Sequence, residues 1–179
     1  MSSVDTSRTV AAPPLQACVP GDAEVRTSVS NSKVTEFISF AIGDEQYGVD
    51  IMAVREIKGW SEITHLPKQP EYVRGVLNLR GAIVPIVDLR CRFGEGLTET
   101  SPLHIVIIVQ IGDRQVGLIG DRVLDIVAVT PAQIQPVPRT GHGHSTSFLA
   151  GLVSNEEIMI ALIDLPHLLA DTEAVVLTS

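Results

Sequence analysis

Two stretches of this chain repeat each other, and their spacing fixes most of what the chain can fold into. Residues 75–89 read GVLNLRGAIVPIVDL and residues 151–165 read GLVSNEEIMIALIDL, an offset of 76. Upstream, residues 42–49 (IGDEQYGV) return as residues 111–118 (IGDRQVGL) at an offset of 69. Val54-Arg55-Glu56-Ile57 returns in that same register as Val123-Leu124-Asp125-Ile126. A module of about 65 residues used twice predicts two similar folded units side by side, with a groove between them. A lone unit of this size buries a marginal core, so the copies are expected to share an apolar seam.

Each copy carries five runs of strand type. In the first they cover 36–42 and 46–50 around a Gly43-Asp44-Glu45 turn, then 54–59, then 73–79 and 82–88 around Arg80-Gly81. The second repeats the scheme at 104–111, 114–120, 123–129, 149–153 and 157–163. Hydrophobic residues make up 45% of the chain but aromatics only 4%, so the apolar mass is Val, Ile and Leu, which suits compact β-structure. Short strands with regular turn signals favour an all-β pair of small five-stranded barrels around a shared apolar core, ending in a short helical turn near 164–170. Pro85 cannot donate a ladder hydrogen bond and is expected at a bulge or an edge. Residues 1–33, rich in Ser, Thr, Ala, Pro and Gly, are expected to form a disordered tail. Residues 34–100 are then the first barrel, 101–170 the second and 171–179 a C-terminal tail.

The net charge is −8, and residues 1–33 contribute nothing to it, so the folded part carries the whole acidic excess. That speaks against nucleic acid or an anionic membrane surface as the main partner. Two cysteines, Cys18 and Cys91, do not make a disulfide framework, and no leader or spanning segment is legible, which together predict a cytoplasmic protein.

Catalytic chemistry has weak support. Asp88 and Asp164 occupy equivalent places after apolar strands, as in a duplicated aspartic hydrolase whose carboxylates share a proton. Each is followed by Leu rather than by a Thr/Ser-Gly turn, so both read better as caps of short helical turns. His142 and His144 in Gly-His-Gly-His-Ser lack further ligands nearby in sequence and read as solvated loop residues, so no metal or other cofactor is expected. Ser145 and Ser147 lack an orienting acid, and no phosphate-binding glycine loop is present. His65, His104 and His167 read as loop, strand-face and terminal-turn residues, and Trp60 as a partner anchor or a loop's own packing.

The contrast between the copies says more. Copy one puts Arg80-Gly81 at the hairpin turn where copy two has Glu156-Glu157, and Glu56 stands where copy two has Asp125. An arginine at a tight turn can reach into a neighbouring surface and bind carboxylates in bidentate fashion. The run from Tyr72 through GVLNLRGAIVPIVDL, with Tyr47-Gly48-Val49-Asp50-Ile51, Val54-Arg55-Glu56-Ile57 and the second Gly-Leu-Val/Ile-Asp-Leu hairpin, resembles the CheW family of bacterial chemotaxis coupling proteins over about three quarters of the chain. The resemblance implies two SH3-like barrels and a non-catalytic adaptor. Its partners would be the cytoplasmic tip of a chemoreceptor and the regulatory domain of the histidine kinase CheA. It implies receptor-coupling roles for Val54, Glu56, Gly75 and Arg80, with Glu56 and Arg80 as a charge pair. More loosely, it implies kinase contact near Leu118, Ile119 and Val123.

Overall fold

The computed structural model describes residues 33–138, 147–155 and 158–170, which belong to one compact unit. The strands are β1 (Thr35–Ile42), β2 (Glu45–Asp50), β3 (Val54–Gly59), β4 (Val73–Leu79), β5 (Ala82–Asp88), β6 (Ile105–Ile111), β7 (Arg114–Gly120), β8 (Arg122–Val129), β9 (Ile134–Gln135), β10 (Leu149–Asn155) and β11 (Ile158–Ile163). Two short helices follow the last strand of each copy, α1 (Leu89–Arg92) and α2 (Leu165–Ala170). Equivalent glycines make the leading hairpin turns, Gly43 at φ 59° and Gly112 at φ 58°, a left-handed conformation that costs glycine nothing. The architecture is all-β: two small SH3-like barrels around a shared apolar core.

The strands do not sort into barrels as the boundary near residue 100 predicts. One sheet runs β8-β1-β2-β11-β10-β9 and the other β3-β6-β7-β5-β4, so each takes its leading hairpin from the opposite copy. The join is a parallel ladder in both cases, with Gly48 opposite Leu162 and Gly117 opposite Ile86. These two registers map onto each other under the offsets of 69 and 76. Because the copies are alike, a leading hairpin fits the last strand of either copy equally well by pattern. The repeat therefore reveals equivalence but not pairing, and the expected sequential division into 34–100 and 101–170 gives way to an exchange of hairpins.

The exchange needs small residues at the join. A Cβ on Gly117 would lie 2.5 Å from Ile86 Cδ1, and one on Gly48 2.9 Å from Leu162 Cδ2. Gly117→Ala is expected to cost about 1–3 kcal/mol, because these side-chain ends must shift within a packed interior. Urea unfolding would read that loss, with Gly48→Ala as the milder member of the pair.

Strand alternation distributes the apolar side chains over three cores. On β6, Val106 and Ile108 face the interior of one barrel with Leu77, Val84 and Ile86, while Ile107 and Val109 face the shared core. On β11, Ile160 and Leu162 fill the other barrel, while Ile163 joins the shared core. Strands buried on both faces read as unbroken apolar runs, which explains IVIIV at 105–109. Phe40, Val49, Leu89, Leu118 and Leu168, each fully buried, tie both barrels into the central core. Pro85 lies inside β5 opposite Val76, not at an edge. Val76 directs its own N–H and C=O to Thr64, so the Val76–Pro85 pair exchanges no ladder bonds and the missing proline N–H leaves no gap.

Candidate functional site

The β4–β5 hairpin closes through two residues of positive φ, Arg80 at 52° and Gly81 at 91°, the primed turn that matches strand twist. Asn78 Oδ1 accepts from the Gly81 N–H at 2.9 Å and locks the turn. Asparagine or glycine fits the first turn position without strain, whereas arginine there costs roughly 1–2 kcal/mol. At this turn the Arg80 side chain is 82% exposed, and its Nη2 donates to Glu56 Oε2 at 2.9 Å. Glu56 lies on β3, an edge strand, and is 25% exposed. The expected charge pair is therefore formed, but through one bond and at the surface, where it contributes about 0–1 kcal/mol.

Val54 starts β3 just after the 3-10 turn Ile51–Ala53 and packs its half-buried side chain against the shared core. Gly75 lies at a bulge of β4 with φ 145°, and a Cβ there would sit 2.3 Å from the Thr64 carbonyl oxygen. Its contribution is backbone geometry: it lets the segment around Thr64 bridge β4 at Val76.

Of the three residues that the resemblance implies for kinase contact, Leu118 and Ile119 are core residues, 0% and 2% exposed, and present no surface in this fold. An apolar run covered on both faces has the same sequence pattern as an exposed apolar edge. Val123 does present surface on β8, the other sheet's edge strand, beside exposed Leu124 and Ile126. Edge strands β3 and β8 are the repeat's equivalents, Val54 to Ile57 matching Val123 to Ile126. Both carry exposed apolar side chains.

The equivalent aspartates cap helical turns. Asp88 is fully buried and accepts from Thr98 N (2.8 Å), Thr98 Oγ1 (2.7 Å), Arg74 Nη1 (3.1 Å) and Cys91 N (3.3 Å). Asp164 is part-exposed and accepts from the N–H and ring of its own turn's His167. With both oxygens of Asp88 occupied by donors, no lone pair is left for acid–base work. Arg74 and Thr98, which complete this cluster, carry no local sequence signal.

His104 Nδ1 accepts from the Ser101 N–H at 2.9 Å, so its hydrogen sits on Nε2, 3.3 Å from Asp121 Oδ1. Ser101 Oγ also approaches Nδ1 at 2.9 Å, and it accepts from Leu103 N. The group pins the start of β6 to the β7–β8 junction, where Asp121 also takes Gly43 N and Arg90. Arg92 is clasped between the Tyr72 and Phe148 rings, 4.3 Å from each centroid, and links α1 to copy two. Burial and then the Asp88 charge push the Cys91 thiol up, which disfavours a reactive thiolate. Among the described residues no cluster of His, Cys, Asp and Glu could hold a metal ion, and no helix is long and apolar enough to cross a membrane. His142, His144, Ser145, Glu156, Glu157 and the two tails lie outside the described residues.

Residues 36–173 match the family model described as CheW-like domain. The chain is 42% identical to the probable chemotaxis protein CheW of Rhizobium etli, over 78% of this chain and 90% of that one. It is 39% identical to the chemotaxis protein CheW of Klebsiella aerogenes, over 77% and 83% of the two chains. The structure is similar to the scaffolding protein TtCheW from Thermoanaerobacter tengcongensis, with a TM-score of 0.67 at 35% identity, covering 73% of this chain and 84% of that one.

Proposed function

Because the chain belongs to the CheW-like domain family, we propose that it is a chemotaxis adaptor in the cytoplasm that joins chemoreceptor tips to the regulatory domain of the histidine kinase CheA. It does so by docking, without catalysis. Holding two partners on one rigid body raises their effective concentration and fixes their register, with no new chemistry required. Val54, Glu56 and Arg80 are assigned to the receptor side, with Gly75 shaping the backbone beneath them. Val123, on the equivalent edge strand, is assigned to the kinase side.

One observation carries this reading: an exposed arginine is kept at a left-handed turn position where asparagine fits better. Local strain retained at a surface residue points to a role in contact. Arg80→Asn is expected to leave stability unchanged or raise it by up to about 1 kcal/mol, because the relieved strain offsets the lost Glu56 bond. Capture of a purified receptor tip is expected to fall on the order of tenfold, as for a lost charged contact. Arg80→Asp should lower capture further, with the circular dichroism spectrum unaltered. Undiminished capture by both variants would remove Arg80 from the interface. The aspartic-hydrolase reading has no observation in its favour, since Asp88 is saturated by structural donors.

A further inference from the structure

The two edge strands carry the same irregularity. In β3, Val54 pairs with Val109 and Glu56 with Ile108, so Arg55 is an extra residue that β6 does not match. In β8, Val123 pairs with Phe40 and Asp125 with Ser39, which leaves Leu124 over in the same way. A bulge of this kind re-aims the side chain it releases. The offset of 69 carries Arg55 onto Leu124, so one device of the fold presents a guanidinium on one edge and an isobutyl group on the other. The flanking charges differ as well. Val54 to Lys58 holds Arg55 and Lys58 against Glu56, a net positive stretch, whereas Val123 to Val127 holds only Asp125. In a chain of net charge −8, β3 and the Arg80 turn that reaches it are a local exception.

Arg55 is exposed, yet its side chain is held in place. Its Nε donates to Gln110 Oε1 at 2.7 Å, and Gln110 Nε2 donates in turn to the Gly112 carbonyl at 2.8 Å. Gly112 is the left-handed turn residue between β6 and β7, so the glutamine amide is fixed at both of its ends. With Nε engaged, the two terminal nitrogens are left as a fork, and among the described residues none accepts from them. Such a planar fork fits one carboxylate in bidentate fashion. Because Gln110 already orders the long side chain in the free protein, less of its rotational freedom is lost on binding. Charge then selects among anions. Glu56, adjacent in sequence and 25% exposed, repels a second negative group, and it repels a phosphate's nearly double charge more than a carboxylate's single one.

Given the receptor-side reading of β3, on which this rests, we infer that Arg55 is a specificity-determining residue of that edge. Its terminal N–H fork takes an Asp or Glu side chain of the docked receptor tip, and Gln110 is the positioning residue that aims it. At the same register β8 offers Leu124 beside exposed Val123 and Ile126, an apolar contact with no call for a carboxylate. One duplicated scaffold thereby presents two edges that select partners of different chemistry.

Capture of a purified receptor tip tests this, with circular dichroism and the urea midpoint showing that each variant folds as the parent does. Arg55→Leu, which copies the second edge, is expected to lower capture about tenfold and to flatten its salt dependence. Arg55→Lys keeps the charge without the fork and should recover only part of that loss. Gln110→Met should weaken capture in the parent but have no effect on top of Arg55→Leu, a pattern that a purely structural role for Gln110 would not give. Single Asp→Lys and Glu→Lys substitutions along the tip then locate the partner: one of them should bind the parent poorly and Arg55→Glu well. Parent-level capture by Arg55→Leu would overturn the inference. So would equal losses from Gln110→Met in both backgrounds, or a series in which Arg55→Glu rescues no tip substitution. Failure of the wider reading looks different: there both Arg80 variants capture the tip undiminished, whereas capture lost in Arg80→Asn but kept in Arg55→Leu removes Arg55 alone.

Discussion

Asp88→Ala is expected to lower the unfolding free energy by about 3–5 kcal/mol, the range for removing one member of a buried charge pair. Asp164→Ala should cost about 1 kcal/mol or less, a lost helix cap at a part-exposed site. The two residues are equivalents in the repeat, so the difference isolates environment from position. Asp88 is fully buried and collects four donors, including Arg74, whose side chain is only 18% exposed. Without the carboxylate, the buried Thr98 N–H loses its acceptor and the largely buried Arg74 guanidinium loses its counter-charge, keeping the Thr98 carbonyl, and that penalty dominates the cost. Asp88→Asn is no rescue. Oδ2 takes Arg74 and Thr98 N while Oδ1 takes Thr98 Oγ1 and Cys91 N, so an amide placed either way points its N–H at a backbone N–H. Urea midpoints at constant slope would give the values, with thermal midpoints falling by roughly 6–20 °C for Asp88→Ala in a chain of this size. Equal losses at Asp88 and Asp164 would mean that the buried cluster is not formed in solution.

How far such features are legible in sequence depends on their range. Ten strands announce themselves through apolar runs and Gly-Asp or Arg-Gly turns, and β1 to β8 begin and end within a residue or two of expectation. The two-residue β9 carries no pattern to read. The two caps were legible because a carboxylate just before a short helical turn has one common local use. What Asp88 does beyond capping was not, because Arg74 and Thr98 lie fourteen and ten residues away and meet it only in the fold. The hairpin exchange was hidden for a different reason. A repeat makes two pairings equally good by pattern, and only the join between Gly117 and Ile86 or between Gly48 and Leu162 distinguishes them. The Arg80–Glu56 pair was legible as a contrast between the copies, whereas its exposure and the left-handed backbone beneath it needed coordinates. Leu118 and Ile119 failed as surface residues because β7 is covered on both faces, which an apolar run alone cannot distinguish from an exposed edge.

Gly75→Ala is the second large effect, expected at about 3 kcal/mol or more, and its cause is backbone rather than charge. At φ 145° an alanine is already strained, and its Cβ would stand 2.3 Å from the Thr64 oxygen and 2.9 Å from the Thr64 carbonyl carbon. Those atoms cannot swing aside as the side-chain ends around Gly117 can. Thr64 donates to Val76 O at 2.9 Å and accepts from Val76 N at 2.8 Å, so moving it breaks both bonds of the bridge. That bridge fastens the segment between β3 and β4, which carries Trp60 and Ile63 into the first barrel's core. It lies on the same strand as the Arg80 turn, so losing it should loosen the platform from which Arg80 reaches out. Hydrogen exchange separates the two ways of losing coupling. Gly75→Ala should strip protection from the Thr64 and Val76 amides and weaken receptor capture together, while Arg80→Asn weakens capture with both amides still protected. A Gly75→Ala protein within about 0.5 kcal/mol of the parent, with those amides still slow, would show that Thr64 does not approach β4 as closely as 2.3 Å implies.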